Sequence, residues 1–467
     1  MLTGVLCLLV FLIMALAMYG RRLSALLALP LMALAIALIG GVAPQDIVKN
    51  VLAGGSLKLH NAYTTTMFGA MLAELLNKQG MARALVRWVA EFAGDSPYLL
   101  GALLTAVTAV LFSTLGGLGA VIMVGTIILP VMLSLGIPTH AAAGLFLFGI
   151  SLGGMFNLTN WQLYSDVLGI EQAKIIAFVV PFSLIVSLVI LLFLLIELKE
   201  KRNLKYFLVG LTILGLSYPA LISFSPASAA TAAGQLSDIS YQIAAGLIVL
   251  LSVGAFIRHK NKSVNLPGIS LLTPLVPLVF VLVFHWDIIP AFMLGIAYGV
   301  LSSWKRDSIN VLTRSIIDGA TTVIPAVLLM MGIGMLITAV MDKHVSEALA
   351  PIMQVCVPTH ALSYVLGFTF FSFLALYRGP LSLWGMGSGL VSLAIKATTL
   401  SSQAVMAMLM SVGQIQGICD PTNTQNIWIA TYLGLDTQII LKRTIPYALL
   451  CVFLGLILAV AKGFVPW

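Results

Sequence analysis

Two short polar stretches interrupt an otherwise apolar chain, "NLTNWQ" at 157–162 and "DPTNTQ" at 420–425. Asp420 can take up a proton or help to hold Na⁺. Asn157, Thr422 and Asn423 offer compact oxygen ligands beside it, so these four residues are the coupling-ion candidates. Asn157, Thr159, Asn160, Thr422 and Asn423 can also hydrogen-bond an anionic substrate. Arg378, in "LYRGPL", carries a planar guanidinium that grips a carboxylate through two parallel bonds, and Gly379 follows it. Ser113, Thr114, Gly116 and Gly117, in "STLGG", complete the candidate substrate-binding set.

Each candidate has a plainer role. Asp420 could cap the helix after it, and Arg378 could simply neutralise Asp420. Thr and Asn side chains commonly join helices within a bilayer. Gly116, Gly117, Gly119, Gly385, Gly387 and Gly389 read more readily as close-packing residues than as ligands. His60, Asn61 and Glu74 fall towards helix ends, where anchoring at the interface is the default, and Lys396 reads as snorkelling outward. The four cysteines are scattered in apolar context without a CxxC pair and read as packing residues. No HExxH, GxSxG beside a His or paired Asp occurs in the spans, which argues against an enzyme. No Walker A sequence supports an ATP-driven pump.

The elements that must position these residues follow from composition. Of 467 residues, 60% are hydrophobic and 9% charged, where a soluble chain carries roughly a quarter charged. Apolar runs recur from end to end, each long enough to cross a ~30 Å hydrocarbon core. The chain reads as an all-α polytopic membrane protein. The N-terminal run has its positive charges after the apolar stretch, so it reads as a first membrane helix rather than a cleaved signal. Helices are expected near 2–19, 24–41 and 58–77, followed by an amphipathic surface stretch, "KQGMARALVRWVAEF". Two arms near 97–113 and 118–135 precede a broken helix at 139–170, interrupted at "NLTNWQ", and a helix at 175–197. Two linking helices near 206–224 and 240–256 come next. The second half repeats the plan: helices near 269–285, 288–303 and 320–341, a short polar segment, and arms at 360–376 and 380–396. A broken helix at 402–432 and a last helix at 444–462 complete it.

A shift of 263 residues pairs Gly116 with Gly379, Gly154 with Gly417, Thr159 with Thr422, Asn160 with Asn423 and Gln162 with Gln425. After a two-residue insertion it pairs Gly169 with Gly434 and Pro181 with Pro446. This predicts an internal repeat: residues 1–198 as the first unit, 199–263 as a linking helix pair and 264–467 as the second unit. If each arm pair is a re-entrant hairpin, about 97–135 and about 360–396, each half crosses five times and the total is about twelve. The repeats are then inverted. This assignment puts 17 Lys and Arg on one side and 5 on the other, with Arg378 and Lys396 inside the second hairpin. The positive-inside rule makes the richer side cytoplasmic and puts both termini outside. Irregular backbone at membrane depth is tolerated only inside protein or along a wet cavity. The hairpin tips and helix breaks would therefore meet near the midplane, where freed carbonyls hold cations and half-helix N-termini hold anions.

Paired inverted repeats, each with a re-entrant hairpin and a broken helix bearing Thr-Asn, resemble the ion-transporter superfamily of secondary carriers. "MALAMYGRRLSALLALPLMALAIALIGG", "GGLGAVIMVGTIILPVMLSLGIPTHAAAGLFLFGISLGGMFNLTNW" and "DPTNTQNIWIATYLGLD" are similar to the citrate–metal/proton symporter family. The tips "STLGG" and "LYRGPL" depart from that family's run of small hydroxyl residues, and a membrane Arg is unusual there. Gluconate-type permeases and dicarboxylate carriers therefore stay open. The resemblance implies a homodimeric inner-membrane carrier with an elevator-like movement. It would take up a small organic anion, such as citrate, a dicarboxylate or a sugar acid, in symport with H⁺ or Na⁺. A cation/proton antiporter of the same superfamily is the alternative, and Arg378 argues against it. No metal centre, no cofactor beyond the coupling cation and no nucleic-acid partner are expected. The partners are the small carboxylate, the bilayer and a second copy of the chain.

Overall fold

Hydrocarbon offers a backbone no hydrogen-bond partners, so apolar runs satisfy their own N–H and C=O groups as helices. The computed structural model describes residues 2–20, 22–93, 96–198, 203–222, 226–260 and 266–466, the side chains of 19, 93, 218–222, 226–238, 377 and 378 excepted. It is all-helical over these residues. The first half contains α1 (Leu2–Tyr19), α2 (Ala25–Ile39), α3 (His60–Lys78), α4 (Met81–Ala93), α5 (Pro97–Phe112) and α6 (Gly117–Ser134). It continues with α7 (Thr139–Met155), α8 (Leu158–Leu168) and α9 (Gln172–Leu198). Then come α10 (Asn203–Ile222) and α11 (Pro226–Lys260). The second half contains α12 (Leu275–Leu282), α13 (Ile288–Ser302), α14 (Ser308–Met341), α15 (Lys343–Cys356), α16 (Ala361–Phe370) and α17 (Gly387–Ala397). It ends with α18 (Ser402–Cys419), α19 (Thr424–Leu433) and α20 (Thr437–Ala461).

Among the described residues, five helices are long and apolar enough to cross a membrane. The number is seven if each of two bent pairs counts as one span: α7 with α8, bent by 52°, and α15 with Ala361–Leu376, bent by 95°. Shorter apolar helices accompany them. The helices form two packing groups. In one, α14 runs against α2 and α3, with α1, α13 and α15 around them. Close backbone approach makes this possible: a Cβ on Gly319 of α14 would lie 2.7 Å from the Met71 backbone nitrogen of α3. Small residues at such contacts are what let helices associate in lipid. In the other group, α5, α7, α9, α18 and α20 surround a core that includes Phe146, Phe148, Phe182 and Phe193. The groups meet where α8 lies on α3 and α17 lies on α14 and α15.

Several expected boundaries move, each for a local reason. The 42–57 connection is largely helical, with a π-helical stretch at Ile47–Gly54 that buries Ile47 and Val51. The expected helix 269–285 shrinks to a 3₁₀ turn, Gly268–Leu272, and α12, because Pro274 removes an N–H at the join. The helix expected at 320–341 starts twelve residues earlier, with exposed Arg314 and Asp318 on its added turns. The "short polar segment" is α15, whose first turn is capped by Asp342 Oδ1 accepting from His344 N–H. The linking helix expected at 240–256 runs over Pro226–Lys260. The second hairpin is less regular than the first: α16 gives way to a 3₁₀ stretch at Phe371–Arg378, and helix resumes only at Gly387. Cys356 is exposed, while the other three cysteines are buried.

Candidate functional site

Both helix breaks are built by the same local device. At 155–158 the helix stops, Asn157 takes an extended conformation, and its Oδ1 accepts from the N–H of Thr159 (3.0 Å) and of Asn160 (3.4 Å). At 419–424, Asp420 is extended in the same way. Its Oδ1 accepts from the N–H of Thr422 (2.9 Å) and from the Thr422 hydroxyl (2.6 Å). Asp and Asn favour such turns because their short side chains reach the N–H two residues on. Pro421, with no N–H of its own, makes the second break the longer one. The expected interruption "NLTNWQ" is therefore narrower than its six residues, and helix resumes at Leu158. The half-helices also end alike, at Gly169 and Gly434, both with φ of +65°.

The two breaks lie across one another. The Ser151 hydroxyl donates to Gln414 Oε1 at 2.8 Å, and these residues stand 263 positions apart. The second hairpin reaches the first break, because Trp384 Nε1 donates to Asn160 Oδ1 at 3.1 Å. It also reaches α18, where the Ser382 hydroxyl donates to Gln416 Oε1 at 2.8 Å. The first hairpin is tied to the first break by Asn157 Nδ2, which donates to the carbonyls of Phe112 and Leu115, each at 3.0 Å. α19 is held to the first hairpin through Trp428, whose ring occupies the space a Cβ on Gly125 would need.

Carbonyls at the helix breaks were expected to be free for a cation. Most are instead met by side-chain donors: Gly154 by Asn160 Nδ2 (2.8 Å), Met155 by Trp161 Nε1 (2.6 Å), Gly417 by Gln425 Nε2 (2.9 Å) and Ile418 by Asn426 Nδ2 (2.9 Å). Asn423 Nδ2 reaches the Gln416 carbonyl at 3.5 Å. A buried C=O without a partner costs on the order of 1–3 kcal/mol, so these amides stabilise the breaks. Asn426 itself is 1% exposed, and its Oδ1 has no hydrogen-bond partner. Asp420 is 2% exposed, and its Oδ1 is met by both the N–H and the hydroxyl of Thr422.

The remaining candidates divide. Ser113 and Thr114 are buried at the first hairpin, with their hydroxyls donating back to Val110 and Leu111 carbonyls. Thr159 faces α3, its hydroxyl 3.5 Å from where a Cβ on Gly69 would stand. Gly116 and Gly117 are not close-packing residues: a Cβ on either would meet nothing within 4 Å, and Gly117 has φ of +80°. With Glu74, Asn77 and Thr322, Gly116 lines a small cleft of about 20 Å³, so Glu74, near the C-terminal end of α3, also lies beside a hairpin tip. Gly379 is a true close-approach position, since a Cβ there would sit 2.2 Å from the Leu374 carbonyl oxygen. Gly387 is similarly tight against backbone, Gly389 lies against the Leu336 side chain, and Gly119 is open. The Arg378 side chain lies outside the described residues. Lys396 Nζ donates to the Ser346 hydroxyl at 3.0 Å on α15.

Sequence reasoning missed Ser151, Ser382, Trp384, Gln414, Gln416 and Asn426. Gln414 and Gln416 were visible as two amides inside an apolar helix, and Ser151 as the 263-shifted counterpart of Gln414. It also missed Asp166 on α8. Its Oδ2 accepts from the Ala62 N–H at 3.0 Å and its Oδ1 from Gln162 Nε2 at 2.9 Å. Asp166 thereby caps the start of α3 from the other packing group, where Leu59 at the N-cap cannot.

No protein-family profile matches the chain, and no curated protein sequence matches it. Among solved structures, the chain is similar in fold to the YdaH transporter of Alcanivorax borkumensis, described as having an unusual topology. The TM-score is 0.51 and the identity 14%, over 90% of this chain and 89% of that one.

Proposed function

We propose that the chain is a secondary active transporter that takes up a small organic anion, a carboxylate such as citrate, a dicarboxylate or a sugar acid, in symport with a cation. One observation carries the reading: two helix breaks and both hairpins converge, through Ser151–Gln414, Asn157–Leu115 and Trp384–Asn160. A soluble-type core has no use for two interrupted helices meeting across a polar seam, whereas a carrier needs one at the midplane. The likeness in fold to a transporter supports the same conclusion.

On the 263-residue shift and the distribution of Lys and Arg, the chain reads as two inverted repeats, 1–198 and 264–467, joined by the 199–263 pair, with about twelve crossings, both termini outside the cytoplasm and a location in the inner membrane. Residues matched by a two-fold operation touch one another only at its axis, and Ser151 and Gln414 are such a pair. The chain would work as a homodimer, as the symporter resemblance implies. Topology is tested by single cysteines in a Cys356→Ser background. An impermeant maleimide should label Lys174→Cys in intact cells and Lys442→Cys only after permeabilisation. The reverse order would remove the inverted arrangement.

In the binding site, Arg378 clamps the substrate carboxylate beside Gly379. Ser113, Thr114, Gly116, Gly117, Asn157, Thr159, Asn160, Thr422 and Asn423 surround it, and Asp420 carries the coupling proton with Asn157, Thr422 and Asn423 at hand. By the 263-residue shift, Arg378 matches Leu115, whose carbonyl meets Asn157 just as Arg378 would meet Asp420. Proton coupling is preferred over Na⁺ because the carbonyls a sodium ion would need are already engaged by side-chain amides. The first hairpin's tip is exposed at Gly116–Gly119, while Gly379, Ser382 and Leu383 at the second are buried. This supports a conformation open on the first hairpin's side.

The test is counterflow of labelled citrate, succinate and gluconate in proteoliposomes, with and without a pH or Na⁺ gradient. Trans-acceleration by one of them, enhanced by an inward proton gradient and reduced about tenfold by Arg378→Lys because the fork geometry goes, is expected. Cation/proton exchange with no carboxylate movement would overturn the reading in favour of an antiporter.

A further inference from the structure

α4 carries Arg83 and Arg87 one helical turn apart, on one face. That face lies over α6, the second arm of the first hairpin, and an open cleft of about 450 Å³ runs between them. Arg83, Arg87 and Glu91 line one wall, and Ile127 and Val131 of α6 line the other. Both arginines are exposed, and among the described residues neither has an ion-pair partner. Like charges at this spacing repel, so the arrangement calls for an anion. Glu91, one turn beyond Arg87, leaves the cleft with one net positive charge.

The surroundings say which kind of anion. Trp88 and Phe92 on the same helix are 60% and 74% exposed, with stacked rings 6.5 Å apart. An amphipathic helix with arginines on one side and bare aromatic rings on another lies in the membrane interface, at headgroup level. The α4 wall of the cleft thus sets two arginines and Glu91 around Val86 and Ala90, and the α6 wall is apolar. A free inorganic anion would satisfy the arginines but leave Ile127 and Val131 unused.

We propose that this cleft binds the phosphate of a monoanionic phospholipid, with an acyl chain along Ile127 and Val131. Guanidinium forks match phosphate oxygens in pairs, and basic pockets beside membrane helices hold acidic headgroups in this manner. The bound lipid braces α6, and so the first hairpin, against α4. Transport by the proposed carrier would depend on acidic lipid, but the binding itself does not rest on that function.

The test uses the purified full-length chain in neutral detergent and follows its thermal unfolding midpoint. Phosphatidylglycerol should raise the midpoint saturably, by about 5 °C, as a ligand of the folded state does. Phosphatidylcholine and inorganic phosphate should not. The R83Q/R87Q variant should lose most of that rise, R83K/R87K should keep part of it, and R306Q/R314Q, which removes two exposed arginines elsewhere, should keep all of it. Ile127→Trp, which fills the apolar wall without touching charge, should also abolish the rise and stands in if the double Gln variant does not fold. An unchanged response in R83Q/R87Q or in Ile127→Trp, an equal loss in R306Q/R314Q, or a full rise with inorganic phosphate alone would each overturn the proposal.

Discussion

Asn157 and Asp420 occupy matched places 263 residues apart, and each closes the same turn by accepting the N–H two residues on. They differ by one group. The Asn157 amide has two spare donors, which bind the carbonyls of Phe112 and Leu115 and fasten the first hairpin to the first break. A carboxylate has no donor while ionised, so Asp420 cannot hold the second hairpin through backbone carbonyls in that way. One break is thus fastened to its hairpin by an amide, and the other is closed by a carboxylate in the matched place.

Making the breaks alike should have the largest effect. Asp420→Asn keeps the turn and removes the titratable group. Accumulation driven by a pH gradient should fall to background, while exchange at equal pH continues, as measured by labelled-substrate uptake into proteoliposomes. Accumulation that persists would remove Asp420 from the coupling step and leave the comparison purely structural.

The opposite manipulation sharpens the structural side. Asn157→Ala leaves two buried carbonyls without donors, at a cost of about 1–3 kcal/mol each. It should lower the thermal midpoint in detergent and raise protease sensitivity around Gly116–Gly119, which are already exposed. A midpoint within error of the wild type would mean that the hairpin does not depend on the amide.

A smaller effect is expected at the boundary between the packing groups. Asp166→Ala removes the side chain that caps α3 from α8, and losing a helix cap costs about 1 kcal/mol. Because the contact joins the two groups, its loss should alter the balance between conformations as well as stability. Cysteine accessibility at Asn77, beside the first hairpin's cleft, reports this. A stability loss without any change in accessibility would make Asp166 a plain cap.

Much of this architecture was legible in the sequence, and the physical reason is locality. In hydrocarbon each helix satisfies its own backbone, so apolar runs, prolines, glycines and Asx residues mark spans and breaks without reference to partners. Both breaks and the amphipathic α4 were readable on that basis, and so was the pairing of Gly169 with Gly434, two residues beyond the 263-residue shift, as helix ends. Where the pattern was locally ambiguous, boundaries slipped. The polar first turns of α14 read as a loop, and the second hairpin's 3₁₀ stretch read as plain helix.

Tertiary structure alone decided who meets whom. Trp384 to Asn160 spans 224 residues and Ala62 to Asp166 spans 104. No periodicity encodes a contact at such separations, because it depends on how whole helices pack. The same holds for the fate of the carbonyls at the breaks: composition shows that they are released, but only the fold shows that Asn160, Trp161, Gln425 and Asn426 take them up. The sequence determined where the backbone had to break, and packing determined what each break could hold.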